Sequence, residues 1–129
     1  MMRLVIVLAA FLPSACQGDE TISGYSDRDA IWVLQEIDGT PFPARATIRF
    51  PDEGRVAGAG PCNAFGASQT LPLPWIEITG LRATRRMCPE ADAERLYFET
   101  LTGMTLAETS GDVLILTNDV GTEMVFRSE

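Results

Sequence analysis

The sequence predicts an α+β fold, an antiparallel sheet of about seven or eight short strands, rolling toward a barrel, with one helix over about residues 90–103 packed on it. Three observations carry this expectation. Short runs rich in β-branched and aromatic residues recur along the chain, separated by Gly, Pro and Asp turn signals. A single stretch, from Ala93 to Met104, repeats its apolar residues at three- and four-residue spacing. The chain then closes on two alternating runs joined by Asn118-Asp119-Val120-Gly121, which read as a hairpin.

Taken in order, Ile31 to Ile37 is the first strand and ends at the Asp38-Gly39 turn signal. Ala46 to Phe50 alternates and is stopped by Pro51-Asp52-Glu53-Gly54, after which Arg55 to Gly58 starts the partner strand of a hairpin. The exit from that strand, Gly58 to Gly66, is so rich in glycine that it must turn tightly or let another backbone approach closely. Trp75 to Thr79 alternates up to Gly80, and Leu81 to Met87 is extended. The helix follows Cys88. Pro89 is tolerated in a first turn, and Glu90, Asp92 and Glu94 suit the positive end of the helix dipole. Its apolar face holds Ala93, Leu96, Tyr97, Thr100, Leu101 and Met104, with Gly103 at the end. Leu106 to Thr109, Val113 to Thr117 and Glu123 to Arg127 complete the sheet, with Leu114, Leu116, Met124 and Phe126 on one buried face.

Composition removes several functions. The 129 residues carry a net charge of −8, with ten arginines and no lysine or histidine. Ser-His-Asp and Cys-His nucleophiles, His-ligated zinc and imidazole proton shuttles therefore have no residue to work with. An excess of acids over arginines, 18 to 10, argues against binding nucleic acid through its phosphates. No cofactor or metal is expected, and the protein is expected to be a monomer and not an enzyme.

The N-terminus carries an address. Met1-Met2-Arg3 gives a positive start, Leu4 to Leu12 is an unbroken apolar run, and Pro13-Ser14-Ala15-Cys16 ends it with small residues. Nine apolar residues fit a signal-peptide core but fall short of a bilayer span of roughly 30 Å. Ser14-Ala15-Cys16 resembles the lipobox of bacterial lipoproteins. The resemblance implies a signal peptide over 1–15, lipid on Cys16 that holds the protein to the membrane, and a periplasm-facing chain. A soluble periplasmic protein and a retained anchor are the alternatives. Gln17, in place of an aspartate, favours the outer membrane. Residues 16–29, polar and with few large apolar groups, read as a flexible tether, and 30–129 as the domain.

Three blocks then stand out. Trp32-Val33-Leu34 precedes Asp38-Gly39; Gly54 to Gly58 leads to Cys62-Asn63-Ala64-Phe65; and Thr84-Arg85-Arg86-Met87-Cys88-Pro89-Glu90 precedes the helix. In this order, with the ending Gly111 to Leu116 and Gly121 to Phe126, the chain resembles the META/HslJ-like domain family over about residues 30–128. The resemblance implies an α+β domain with no established catalytic activity, from a family associated with stress phenotypes in bacteria and virulence in some parasites.

With Cys16 lipidated, Cys62 and Cys88 are left in an oxidising compartment, where a structural disulfide is expected. Two buried free thiols and a redox pair are the alternatives. Asn63, Phe65, Arg82 and Arg85 form the candidate partner or ligand surface. Asn63 also suits a turn, and Arg82, Arg85 and Arg86 have Glu90, Asp92 and Glu94 nearby as ion-pair partners. The carboxylates single out no glycosidase pair, and Asp112, Asn118 and Asp119 lack the spacing of a calcium loop. Trp32 and Trp75 read as core and sheet-edge packing. The function expected is a non-catalytic envelope module, binding or structural and linked to stress or envelope maintenance, that contacts another envelope protein or the wall through a sheet face or the Gly-rich edge. A small-ligand carrier in a partly closed barrel, or an inhibitor of an envelope hydrolase acting through Leu71 to Pro74, are the alternatives.

Overall fold

The computed structural model describes residues 18–129. The expected signal peptide and Cys16 lie outside the described residues. The chain enters through a four-residue helix, α1 (Ile22–Tyr25), and runs into β1 (Trp32–Ile37), β2 (Thr40–Pro41), β3 (Thr47–Asp52), β4 (Gly54–Ala59), β5 (Ala64–Gln69) and β6 (Thr79–Ala83). The main helix, α2 (Ala91–Thr102), precedes β7 (Leu106–Ser110), β8 (Val113–Thr117) and β9 (Glu123–Ser128). The strands form one antiparallel sheet in the order β6-β5-β4-β3-β1-β9-β8-β7, with β2 paired to β1. The fold is α+β, a sheet curled into a half-barrel around one main helix.

Two meanders, β3 to β6 and β7 to β9, each follow chain order. They are joined because β1 pairs with β3 on one side and β9 on the other. Trp32 and Leu34 of β1 face inward with Ile48, Phe50, Val56, Leu114, Leu116, Met124 and Phe126, all nearly or fully buried. Period-two alternation sends their sequence neighbours to the outer face. α2 connects one end of the sheet to the other, and Tyr97, Leu101 and Met104 bury its inner side. Tyr97 gathers Phe42, Phe65, Phe98 and Phe126 within ring distances of 5.7–6.5 Å.

Two local features let the helix approach. Ala59 N–H donates to Thr47 Oγ1 at 3.1 Å, and the Thr47 carbonyl instead accepts the Tyr97 hydroxyl at 2.8 Å. Gly58 faces Phe65 across the β4–β5 pair, where a Cβ would press on the Thr47 carbonyl oxygen and lie 2.8 Å from the Phe65 ring. Only glycine leaves both the aromatic and the helix anchor in place.

Several expectations need correction. Much of the expected tether is packed: Thr21, Ile22 and Ser23 are buried, and Ile22 belongs to the core. Asp19 organises this segment by accepting bonds from the Thr21 and Ser23 hydroxyls and from Arg28, 3.0 Å away. Of the run Trp75 to Thr79 expected as a strand, only Thr79 belongs to one, as the first residue of β6. Trp75 makes a single bridge to Leu106 at the β7 edge and stays half exposed, while Ile76 and Ile78 are buried. The Gly-rich exit, expected to turn tightly or admit a close approach, does both, turning at 60–63 with close approaches at Gly58 and Gly60, but it also continues into β5, which was not expected. On α2, Leu96 is 48% exposed and Glu94 is buried, so the inner face is 94, 97, 98 and 101.

Candidate functional site

The Gly60–Asn63 turn between β4 and β5, the extended segment after β6 and the first turn of α2 meet at one point. Cys62 and Cys88 form a disulfide there, with Cα atoms 5.6 Å apart. Beneath it lie Asn63 and Glu94, 7% and 8% exposed. Glu94 Oε1 accepts the backbone N–H groups of Cys62 and Asn63 at 3.2 and 2.7 Å. Glu94 Oε2 accepts Asn63 Nδ2 at 2.7 Å. Asn63 Oδ1 in turn accepts the Thr84 hydroxyl at 2.9 Å and the Arg86 N–H at 2.6 Å, while Nδ2 also donates to the Arg86 carbonyl. Three distant segments are thus sewn together by two side chains.

A buried carboxylate is tolerated only when its charge is satisfied, and here three N–H donors do this without a cation. The arrangement depends on Gly60, where a Cβ would lie 2.5 Å from Glu94 Oε1. Glu94 is the member that sequence reasoning missed. It reads as an exposed first-turn acid, yet it stands three residues before Tyr97 and seven before Leu101, on the inner stripe of the helix.

The candidate surface divides. Asn63 and Phe65 face inward, the first occupied by the bonds above and the second by the Tyr97 and Phe98 rings, so neither presents a docking contact. Arg82 and Arg85 are exposed. The expected ion pairs from Arg82, Arg85 and Arg86 to the acids of the helix do not form among the described residues: Glu94 turns inward and Asp92 pairs with Arg95. Cys62, Cys88 and Glu90 converge as a three-residue group, but a disulfide offers no thiolate to a metal. Between sheet and helix, where a carrier needs its cavity, Trp32, Phe50, Tyr97 and Phe126 are packed. Leu73, in the segment expected to plug a cleft, packs on the core and donates its N–H to the Glu20 carbonyl.

The family model for the META domain matches residues 28–129. This chain belongs to the META domain family. Its blocks now have physical roles, since the Cys-Asn and Thr-x-x-x-Cys segments of this META domain are what the disulfide, Asn63 and Thr84 bind together. An NMR structure of a protein from Burkholderia xenovorans is similar, with a TM-score of 0.62 and 22% identity over 78% of this chain and 82% of that one. A crystal structure of a DUF4847 family protein from Bacteroides vulgatus has a TM-score of 0.61 at 13% identity, covering 78% of this chain and 92% of that one. Both likenesses concern the fold. No curated protein matches this META domain.

Proposed function

We propose that this META domain is a non-catalytic binding module of the bacterial envelope, held at the outer membrane by lipid on Cys16, facing the periplasm as a monomer. The observation that carries the reading is how the polar groups are spent. Asn63, Glu94, Gln69 and Tyr97 each bind backbone groups inside the fold, whereas Arg49, Arg55 and Arg82 on the outer face of β3 to β6 have no carboxylate within 4.0 Å among the described residues. Buried polar groups committed to the scaffold stabilise it; free cations on a rigid sheet are available to another molecule.

A photo-crosslinking residue placed at Ser68 on the outer face, and separately at Glu99 on α2, tests the reading in cells. The expected result is a discrete adduct with one envelope protein from Ser68 and none from Glu99. Adducts with abundant bystanders alone, from both positions alike, count against it. Metabolic lipid labelling that persists in Cys16→Ser would overturn the anchor.

A further inference from the structure

The outer face of β3 to β6 carries an arrangement that the module reading does not by itself explain. Register places Arg49, Ala57, Gly66 and Arg82 in one cross-strand row. Directly opposed residues of an antiparallel ladder point to the same side, so both arginines stand on the outer face, three strand spacings or about 14 Å apart. Arg55 shares that face, two residues before Ala57 on β4, and pairs across to Ser68. Between them the surface is made of Ala57, Ala59, Ala64 and Gly66, residues too small to fill it. A groove of about 550 Å³ runs along the Arg45, Arg49 and Ala57 side, and a shallow, open depression of about 350 Å³ lies along the Gly66 and Arg82 side; the two share Ala64 and Phe65. The result is a trough with a small-residue floor and guanidinium walls.

Its charge is opposite to that of the whole. The chain has a net charge of −8, yet residues 54–89 contain four arginines, Arg55, Arg82, Arg85 and Arg86, against the single carboxylate Glu77. Four of the nine arginines among the described residues have carboxylates within 4.0 Å: Arg28, Arg45, Arg95 and Arg127. Arg49, Arg55 and Arg82 have none among the described residues, although abundant acids lie elsewhere on the surface. Carboxylates stand at the margins of this face, Asp52 opposite Arg55 and Glu129 paired with Arg45, and the three unpaired arginines between them are the complement of an acidic ligand.

Resting on the module reading and deepening it, we propose that this trough docks an extended acidic segment of a partner protein, seated on the floor of Ala57, Ala59, Ala64 and Gly66 and held by Arg49, Arg55 and Arg82. The width decides the class of occupant. An extended chain with its side chains needs about 10 Å, the spacing of packed sheets, and its alternate residues repeat every ~7 Å along one side, so carboxylates reach the walls while the backbone lies on the floor. A planar anionic surface engages cations that crown a convex face and leaves a sunken floor unfilled. Arginine, with its planar fork of donors, suits carboxylates in this setting.

The probe is a fluorescent ten-residue peptide of alternating glutamate and threonine, titrated into the folded domain, with the glutamine counterpart as control. The expected result is saturable, salt-sensitive binding, with amide shifts concentrated at Arg49, Ala57, Gly66 and Arg82. R49E/R82E should weaken it at least tenfold with unchanged unfolding midpoint, while R95E on α2 leaves it unchanged. Equal binding by R49E/R82E and the parent, no binding at all, or binding of anionic vesicles or a sulfated polysaccharide in preference to the peptide, would each overturn the proposal. The module reading fails separately. An adduct formed from Ser68 that survives R49E/R82E leaves a binding module and removes the trough, whereas absence of any specific adduct from the parent protein removes both.

Discussion

Glu94 and Asn63 are joined by two hydrogen bonds of 2.7 Å, one from the Asn63 backbone N–H to Oε1 and one from Asn63 Nδ2 to Oε2. The carboxylate of the helix thus holds both the main chain and the side chain of the residue beside the disulfide. The carboxamide passes the connection on to Thr84 and Arg86. Glu94→Ala would leave three donors without a partner in a buried site, at a cost of about 2–4 kcal/mol. Glu94→Gln keeps an acceptor for the two backbone N–H groups but sets its amide against Asn63 Nδ2. It is expected to lose about 1–2 kcal/mol, because Asn63 can turn to relieve the conflict only by abandoning Thr84 and Arg86. Urea unfolding with the disulfide intact measures both, and a loss under 0.5 kcal/mol for the alanine variant, on the order of a surface substitution, would discard the role assigned to Glu94.

Gly60 makes a sharper test. A Cβ there meets Glu94 Oε1 at 2.5 Å and Cγ at 2.9 Å. Carboxylates at the end of a side chain usually move aside easily, but this one is fixed by three donors. Gly60→Ala should therefore cost about 1–3 kcal/mol in the parent protein. In the Glu94→Ala background the same change should cost far less, since the atoms it strikes are gone. A double-mutant cycle that gives additive losses would show that the two sites are independent.

The sheet was legible where alternation and turn chemistry agree. Leu114, Leu116, Met124 and Phe126 lie fully buried on the paired strands expected of them, and Asp38-Gly39 closes the β1–β2 hairpin with both residues at positive φ. The errors came where tertiary packing overrode local pattern. Ile76 and Ile78 alternate like a strand but are buried in an irregular segment. Strand β5, Ala64 to Gln69, is not among the expected strands because its small residues serve a sheet face rather than a core. Residues 19–25 are polar in composition, and the convergence of Thr21, Ser23 and Arg28 on Asp19, together with the burial of Ile22 in the core, orders them. Glu94 illustrates the same limit. A helix stripe shows that a residue faces inward, whereas the three donors that make an inward carboxylate tolerable come from a turn thirty residues earlier and from Asn63 itself.

Reduction of the Cys62–Cys88 bond should weaken the domain without unfolding it. The bridge spans a sequence separation of 26, worth about 3.5 kcal/mol in the chain-entropy treatment. The bonds of Glu94 and Asn63 hold the same three segments independently of the sulfurs. The C62S/C88S variant is expected to keep its native spectrum and to unfold at lower urea. Loss of the native spectrum at zero urea would show that the polar connection cannot stand alone.

Asp19 makes stability depend on acid. Burial raises its carboxyl pKa, but the Ser23 and Thr21 hydroxyls, the Thr21 N–H and the Arg28 charge outweigh that and hold it below the usual carboxylate value. A depressed pKa in the folded state contributes stability above the unfolded value of about 3.9 and loses it as pH falls through the folded value. Asp19→Asn should lower the urea midpoint at pH 7 and narrow the gap between the midpoints at pH 7 and pH 3. An unchanged gap would assign the acid sensitivity to other carboxylates.

Tyr97 acts at the opposite end of the pH scale. Burial pushes its hydroxyl far above the ordinary tyrosine range, and its one hydrogen bond runs to the Thr47 carbonyl at 2.8 Å. The folded pKa is raised, so its contribution is complete below the unfolded value of about 10 and is lost as pH rises above it. In a Tyr25→Phe background, where Tyr97 is the sole tyrosine, phenolate absorbance should appear only together with unfolding. Tyr97→Phe should cost about 1 kcal/mol at neutral pH, the worth of one buried hydrogen bond, and flatten the alkaline decline in stability. Phenolate absorbance at alkaline pH with the native spectrum intact would place the hydroxyl in solvent, and the anchor between α2 and β3 would then have to be sought in the rings around Tyr97 rather than in its hydrogen bond.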